Sequence, residues 1–205
     1  MIAAYENDAD LKIHIVDLMK GEHKQPEHLA RQPFGVIPAL EDGVGDSATV
    51  SLYESRAITR YIDSSRGRKL QPSIESHPQQ VGWMEQWISL EQGTITPIVE
   101  KIVIQRVFAP FRGQKADEEI VAKAVEQSKQ PLDIMDRHLD GKQYLAGDVF
   151  TLADAYFMPY FHHIVANTPE KEIILSRPNL AAWWKRISER PSWKKVLQAQ
   201  QQPQQ

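Results

Sequence analysis

Residues 31–62, RQPFGVIPALEDGVGDSATVSLYESRAITRYI, constrain the fold of this chain more than any other stretch. Two short apolar runs, 37–40 and 49–52, have the composition of strands. The sequence EDGVGDSA between them is rich in turn formers, so we predict an antiparallel hairpin with a long loop. From Ser55 the apolar residues recur at helical spacing, which predicts an amphipathic helix directly after the hairpin.

The chain before this stretch is expected to supply one more strand. Residues 12–16, KIHIV, alternate and are β-branched, which is typical of a strand. The following polar chain, 19–32, contains Pro26 in a position that fits the first turn of a short helix. We expect the charged residues of that polar chain to be solvated.

The chain after this stretch is helical in character. Residues 64–78 contain Gly, Pro and Ser without periodicity, which is typical of an interdomain linker. The sequence therefore predicts a mixed α/β unit over 1–65 and an all-helical unit over 77–198. The glutamine-rich end, 199–205, is predicted to be a disordered tail.

Prolines and caps divide the helical region. We predict a long helix from 81 that is kinked at Pro97, and a second helix over 117–139 that Pro131 interrupts. Thr151 and Asp154 have the spacing of a capping box and are predicted to begin a further helix. The last predicted helix covers 180–190.

Composition excludes several classes of function. The 205 residues include no Cys, which excludes disulfides, thiolate metal sites and dithiol redox chemistry within the chain. A net charge of −3 suggests neither nucleic acid nor an anionic membrane as a partner. We find no apolar run long enough to span a bilayer and no signal peptide, so a cytoplasmic protein is expected.

Two pairs of residues in the opening stretch could present bare backbone polar groups to a ligand. A cis bond between Ile37 and Pro38 would direct the backbone of Ile37 outward, where an extended peptide could pair with it. The alternative is an ordinary edge or turn proline. Glu54 and Ser55 lie where a strand gives way to a helix, a place that suits a carboxylate or phosphate. The alternative there is simple N-capping.

Other polar residues give weaker indications. His23 and Lys24 follow a Gly-Glu pair and could bind an anion, or could form a solvated turn. The adjacent His162 and His163 have no third ligand at a suitable spacing, so no metal site is predicted.

Taken in order, three segments resemble the glutathione transferase superfamily, close to its phi-like and fungal branch. They are DLMKGEHKQPEHLARQPFGVIPALEDG (17–43), LYESRAITRYI (52–62) and FTLADAYFMPY (150–160). The resemblance extends from Ile2 to about Leu197. It implies a thioredoxin-like amino-terminal domain, an all-α carboxy-terminal domain, glutathione as co-substrate without a metal, and a homodimer.

The resemblance also implies roles for individual residues. Ile37, through its peptide with Pro38, would pair with the cysteinyl backbone of glutathione, and Val36 replaces the Gln that often precedes that position. Glu54 and Ser55 would hold the γ-glutamyl end, with His23 and Lys24 near the glycyl carboxylate. Thr151 and Asp154 would be folding residues, and Arg56 would face the dimer partner. Candidates for the electrophile pocket are Ile104, Gln105, Phe108 and Phe111, for which core packing is the alternative.

The start of the chain departs from the family pattern. Residues 2–24 align with the end of the family's first helix and its second strand, so the first strand and the loop with the catalytic Ser, Tyr or Cys would precede Met1. About 15–20 residues would make up that piece. We assign no residue of this chain to the catalytic position, since Tyr5 lies too far along the helix. An upstream segment in the native protein is therefore expected.

Three functions are compatible with this resemblance. The glutathione thiolate could attack a small apolar electrophile and form a thioether, in detoxification or in secondary metabolism. The same thiolate could add reversibly to a conjugated alkene and so act as a cis–trans isomerase. A non-catalytic binding or regulatory protein is the third possibility. The sequence favours the transferase and does not specify the second substrate.

Overall fold

The computed structural model describes residues 1–44 and 47–201, and the chain forms two compact units. The first unit contains Met1–Lys69 together with the chain from Lys195 onward, and the second contains Leu70–Lys194. The border at Lys69 falls between the predicted limits at 65 and 77. The assignment of the chain end to the first unit was not predicted from the sequence.

The first unit is built around a two-stranded hairpin. Its elements are helix α1 (Ile2–Glu6), a 3₁₀ turn (Glu22–Lys24), α2 (Pro26–Leu29), strands β1 (Ala39–Val44) and β2 (Ser47–Tyr53), and α3 (Ser55–Arg66). The strands are antiparallel, with Ala39 opposite Tyr53 and an irregularity in register after Asp42. The predicted hairpin and the predicted start of the helix at Ser55 are therefore confirmed. The predicted long loop over 41–48 is wrong where it is described, because β1 continues to Val44 and β2 begins at Ser47. Residues 45 and 46 lie outside the described residues.

Helix α3 packs against α1 through its apolar face. Ile58 and Ile62 are buried on α3, and Ala3 and Ala4 are buried on α1. A polar contact fixes the pairing, since Asn7 Nδ2 donates to Asp63 Oδ1 at 2.8 Å in a buried position. The 3.6-residue period of α3 thus determines which side of the helix enters the core.

The predicted strand at 12–16 is wrong. The described sheet consists of β1 and β2 alone, and residues 9–17 are irregular. Ile13 is 47% exposed and Ile15 is 56% exposed. An alternating sequence forms a stable strand only when a neighbouring strand satisfies its backbone hydrogen bonds, and no described segment pairs with this one.

All the regular elements of the second unit are helices or helical turns within the described residues, apart from one isolated β-bridge between Tyr144 and Gly147. Its elements are α4 (Pro78–Leu90), a π segment (Glu91–Ile95), α5 (Thr96–Val103), a π segment (Ile104–Phe108), α6 (Ala109–Phe111), α7 (Glu118–His138), α8 (Leu152–Asn167), a 3₁₀ turn (Pro169–Lys171), α9 (Glu172–Leu175) and α10 (Pro178–Ser188). Helix α11 (Pro191–Gln201) crosses the border between the units. Aromatic rings fill the core of this unit, where Phe157, Phe161 and Trp183 meet edge to face.

Two prolines were predicted to disturb helices, and the structure contradicts the prediction only for Pro131. The helix changes to a π segment just before Pro97, and a second π segment precedes Pro110. Such segments accommodate a residue that cannot donate a backbone hydrogen bond. Pro131 does not interrupt α7, which is continuous over 21 residues. Leu132 and Met135 are fully buried just after it, and their packing outweighs one missing hydrogen bond.

Two predicted irregular segments are shorter than expected. Helix α3 continues to Arg66, so the linker begins at Gly67, whose φ of 149° is suited to glycine. The predicted disordered tail is wrong for residues 199–201, which complete α11. Gln and Ala are good helix formers, so the polar composition alone did not end the helix. Residues 202–205 lie outside the described residues.

His138 connects the end of α7 to α4 and gives the fold a predicted pH dependence. Trp87 Nε1 donates to His138 Nε2 at 3.0 Å, and the Leu145 carbonyl oxygen lies 2.9 Å from the same nitrogen. Burial lowers the pKa of His138, the charge of Lys142 lowers it further, and the Leu145 carbonyl opposes both. The folded protein therefore binds fewer protons than the unfolded chain as the pH falls below about 6.5.

We therefore expect the free energy of unfolding to fall between about pH 7.5 and pH 5.5, and to fall less in His138→Asn. Denaturant unfolding at both pH values measures the difference. His14→Asn is the matched control, because His14 is exposed in the irregular segment. Burial also lowers the pKa of His162, so some pH dependence should remain in the variant. If the free energy of unfolding falls by the same amount between the two pH values in His138→Asn and in His14→Asn, the pH dependence does not come from His138.

Candidate functional site

The hairpin register brings the two predicted backbone sites together. Ala39 lies directly opposite Tyr53, and opposite residues in an antiparallel pair are about 4.5–5.5 Å apart at Cα. The Ile37–Pro38 peptide precedes Ala39, while Glu54 follows Tyr53. Both sites therefore lie at the same end of the hairpin.

The Ile37–Pro38 peptide bond is cis. Ile37 is 49% exposed, and its backbone forms no hydrogen bond within the described part of the chain. The preceding carbonyl, that of Val36, is bound by His28 Nε2 at 2.7 Å. The N–H and C=O groups of Ile37 are thus free to bind a ligand, and the neighbouring Val36 carbonyl is held in place by His28. An extended peptide can pair with a backbone that is exposed in this way.

Glu54 and Ser55 join β2 to α3 in an unusual conformation. Glu54 has φ 71° and ψ 117°, a region that costs a non-glycine residue of the order of 1–3 kcal/mol. Its carbonyl oxygen accepts the first bond of the helix, from Ile58 N at 2.9 Å, and its side chain makes no capping bond. Ser55 is exposed at the first position of α3. The positive end of the helix dipole therefore faces outward at this residue.

The two basic residues His23 and Lys24 lie against the segment that leads into Ile37. Lys24 Nζ is 3.4 Å from the Phe34 carbonyl oxygen. Gly35 has φ 62°, and a Cβ on it would be 2.9 Å from Lys24 Cδ. The positive φ favours glycine here, and a larger residue would also displace the end of the lysine side chain. His23 Nδ1 is buried without a hydrogen-bond partner among the described residues.

The sequence patterns did not identify the residues that stabilise the loop between α2 and β1. No role was predicted from the sequence for His28 and Gln32, which are 9% and 1% exposed. Gln32 Oε1 accepts from Phe34 N at 2.8 Å, and the Phe34 ring meets the Tyr53 ring edge to face at 5.8 Å. These contacts hold the loop before β1 against the end of strand β2. No periodic signal marks these residues, because they contact residues in other turns and strands.

The structure thus brings all the predicted residues of the first unit to one end of the hairpin, namely His23, Lys24, Val36, Ile37, Pro38, Glu54 and Ser55. The arrangement combines an exposed backbone edge, a helix start and a basic pair. An extended peptide with carboxylates at both ends has the matching chemistry. Tyr5 belongs to a different part of this unit, where Lys195 Nζ lies 5.9 Å from the centre of its ring.

The predicted pocket residues of the second unit are only partly together. Ile104 and Gln105 line a cavity of about 330 Å³ between α5, the following π segment and α7. Phe108 and Phe111 do not line it. Phe108 contacts His163 edge to face at 5.8 Å, and Phe111 is 73% exposed. Gln105 Oε1 also accepts from Asp117 N at 2.8 Å, which ties the π segment to the start of α7.

Thr151 and Asp154 form the predicted capping box at the start of α8. Asp154 is fully buried and also accepts hydrogen bonds from outside the box, from Leu145 N at 3.0 Å and Trp183 Nε1 at 2.8 Å. Burial raises the pKa of the Asp154 carboxyl, and the donated hydrogen bonds oppose the rise. This residue organises the fold of the helical unit.

Neither a metal site nor a membrane span is found in residues 1–44 and 47–201. No cluster of three or more His, Cys, Asp or Glu there is arranged to hold a metal ion. None of the described helices combines the length and apolar character needed to cross a bilayer.

Comparisons with known proteins identify the kind of chain that carries this site. Residues 1–64 match the family model described as "Glutathione S-transferase, N-terminal domain", and residues 95–191 match "Glutathione S-transferase, C-terminal domain". The chain is 38% identical over 182 residues to glutathione S-transferase F10 of Arabidopsis thaliana, an alignment that covers 88% of this chain and 82% of the relative.

Solved structures are similar over the same extent. Glutathione transferase F7 from Populus trichocarpa has a TM-score of 0.88 at 37% identity, covering 96% of this chain and 90% of that one. Glutathione S-transferase I from maize, in complex with an atrazine glutathione conjugate, has a TM-score of 0.84 at 33% identity, covering 95% and 88%.

Proposed function

Because the chain belongs to the glutathione S-transferase family, we propose that it binds glutathione at the end of the hairpin and transfers the thiolate to a small apolar electrophile. Its amino-terminal unit is thioredoxin-like and its carboxy-terminal unit is all-helical. The protein is a transferase, and glutathione is its co-substrate. The observation that carries the site assignment is the register that brings Ile37 and Ser55 to one end of the hairpin.

In the proposed binding mode, glutathione lies along the exposed backbone of Ile37. The cysteinyl backbone pairs with that residue, beside the Val36 carbonyl that His28 holds. The γ-glutamyl carboxylate binds at Ser55, where the hydroxyl and the start of α3 favour a negative charge. The glycyl carboxylate approaches His23 and Lys24.

The chemistry requires a thiolate, since the neutral thiol is a poor nucleophile. In the proposed reaction the sulfur forms a bond to an electrophilic carbon, and a leaving group such as halide departs with its electron pair. The thiol proton passes to solvent. The maize relative was solved with a conjugate of this kind, an atrazine glutathione adduct. We place the second substrate in the helical unit, near Ile104 and Gln105, whose side chains line a cavity.

The assembly and location are also proposals. We propose a homodimer that uses Arg56 and the rest of α3, supported by membership of a family whose members are typically homodimers. A cytoplasmic location is proposed because the family relatives are glutathione-dependent enzymes. Light scattering of the native protein tests the dimer.

The test of the proposed function is binding to immobilised glutathione, followed by an assay with a generic aryl halide beside an activated cis alkene. We expect retention on the resin, elution by free glutathione, and formation of the aryl thioether. Retention with alkene isomerisation alone would replace transfer by isomerisation. Retention without either reaction would indicate a binding protein, and failure to bind glutathione would overturn the site assignment.

A further inference from the structure

The π segment Ile104–Phe108 is joined to its neighbours through the side chain of Arg106. The guanidinium donates to both carboxylate oxygens of Glu118, from Nη1 to Oε1 at 2.6 Å and from Nη2 to Oε2 at 2.8 Å. It also donates to Oε1 of Glu170, from Nε at 2.8 Å and from Nη2 at 2.7 Å. Glu118 is the first residue of α7, and Glu170 lies in the 3₁₀ turn after α8. One arginine therefore connects the π segment to two other elements of the helical unit.

Two of the three charged side chains are shielded from solvent. Those of Arg106 and Glu170 are 19% and 12% exposed, whereas that of Glu118 is 72% exposed. Exposed ion pairs contribute little because water and salt screen them, so the bond to Glu170 is the stronger of the two connections. The hydrogen bonds from Arg106 also lower the pKa of the Glu118 carboxyl, so this second pair is charged at neutral pH and fixes the plane of the guanidinium.

The conformation of this segment decides where two cavity side chains stand. Ile104 and Gln105 belong to the π segment and line the cavity beside α7. A π turn carries an extra residue relative to an α turn and is rare, so it persists where contacts with its surroundings support it. The other contacts of the segment include one hydrogen bond, from Asp117 N to Gln105 Oε1, and the edge-to-face contact of Phe108 with His163. Each of these is a single neutral contact, weaker than the four charged hydrogen bonds of Arg106.

We propose that Arg106 is a positioning residue for the electrophile: it holds the π segment against α7 and so sets the width of substrate that the cavity accepts. The inference rests on the proposed function, which places the second substrate near Ile104 and Gln105. Arg106 is not among the residues that line the cavity, and it acts through those two. Without its bonds the segment can move away from α7, and the cavity then admits a wider electrophile.

The kinetic test compares two aryl halides with the same reacting group, chlorodinitrobenzene and the wider chlorodinitronaphthalene, in wild type and in Arg106→Gln. We expect the ratio of kcat/KM for the naphthalene substrate to that for the benzene substrate to rise about fivefold, mainly through a lower KM for the naphthalene. The KM for glutathione should change by less than about twofold, because its proposed site lies in the first unit and shares no residue with this network. A general loss of structure would lower both rates and leave the ratio unchanged.

Arg177→Gln is the matched control. The Arg177 side chain is 14% exposed and binds Asp133 of α7 at 2.7 Å, so its loss removes a comparable ion pair from the same unit without affecting the π segment. Glu118→Gln removes only an exposed carboxylate, so the protein should stay folded and the ratio should rise about twofold. Arg106→Lys keeps the charge without the fork and should restore part of the wild-type ratio. An unchanged ratio in Arg106→Gln and Glu118→Gln, or an equal rise in Arg177→Gln, would overturn the inference.

Amide hydrogen exchange measures the same connection without catalysis. In Arg106→Gln the amides of residues 104–108 should exchange about tenfold faster than in wild type, and in Arg177→Gln they should not. Unchanged exchange in Arg106→Gln would overturn the inference, because the segment would then be held by other contacts. Faster exchange in a protein whose wild type transfers glutathione to neither halide would overturn the proposed function, and with it the role in specificity.

Discussion

Replacing Asp154 by alanine is expected to lower the free energy of unfolding by about 3–5 kcal/mol. The carboxylate is fully buried and accepts four hydrogen bonds, two from Thr151 and one each from Leu145 N and Trp183 Nε1. Alanine would leave these buried donors without a partner, and an unsatisfied buried donor keeps its full desolvation cost. Denaturant unfolding measured at neutral pH tests the value.

Asp154→Asn tests the two carboxylate oxygens separately, because one accepts from Leu145 and Trp183 and the other accepts from Thr151. Its amide oxygen could keep the bonds from Leu145 N and Trp183 Nε1, while its NH₂ group would face the Thr151 N–H, so we expect a smaller loss than in the alanine variant. Asp148→Ala, at an exposed position in the same connection, should change stability by less than about 0.5 kcal/mol. A similar loss in all three variants would contradict the proposed role.

Replacing Ser55 by aspartate is expected to abolish most glutathione binding while the fold persists. The new carboxylate would occupy the start of α3, where the helix dipole stabilises it by about 0.3–1 kcal/mol. It would repel the γ-glutamyl carboxylate and remove the hydroxyl donor. Together these losses amount to about 3 kcal/mol, so the dissociation constant should rise about 100-fold. Calorimetric titration with glutathione measures it.

Two further variants show whether the loss of affinity in Ser55→Asp is specific to the glutathione site. Ser55→Ala removes only the hydroxyl and should weaken binding about tenfold. Ser89→Asp adds the same charge at an exposed position of α4 and should leave the affinity unchanged. Wild-type affinity in Ser55→Asp, with a normal unfolding transition, would mean that the carboxylate of glutathione binds elsewhere.

Local patterns predicted those elements whose cause is local. The turn formers between two apolar runs predicted the hairpin, and the 3.6-residue period predicted α3 from its first residue, Ser55. The spacing of Thr151 and Asp154 predicted the capping box at the start of α8. Each of these signals lies within a few residues of the feature it determines.

Predictions failed where the outcome depends on a distant partner. Residues 12–16 have the alternation of a strand, yet they are irregular in the structure because no described segment pairs with them. Pro131 was predicted to interrupt α7, and the buried packing of its neighbours prevents this. The contacts of His28, Gln32 and Phe34 that stabilise the loop before β1 were not predicted for the same reason, since they join separate turns and strands.

The sequence by itself therefore determined the family, the hairpin and the helical character of the second unit, because short-range periodicity and ordered motifs encode them. Only the tertiary structure decided which polar groups share a site. Hairpin register brought Ile37 and Ser55 to the same end of the hairpin, and helix packing placed Gln105 beside α7 around a cavity. Such proximity depends on hydrogen-bond pairing and side-chain packing between distant segments, which no local pattern records.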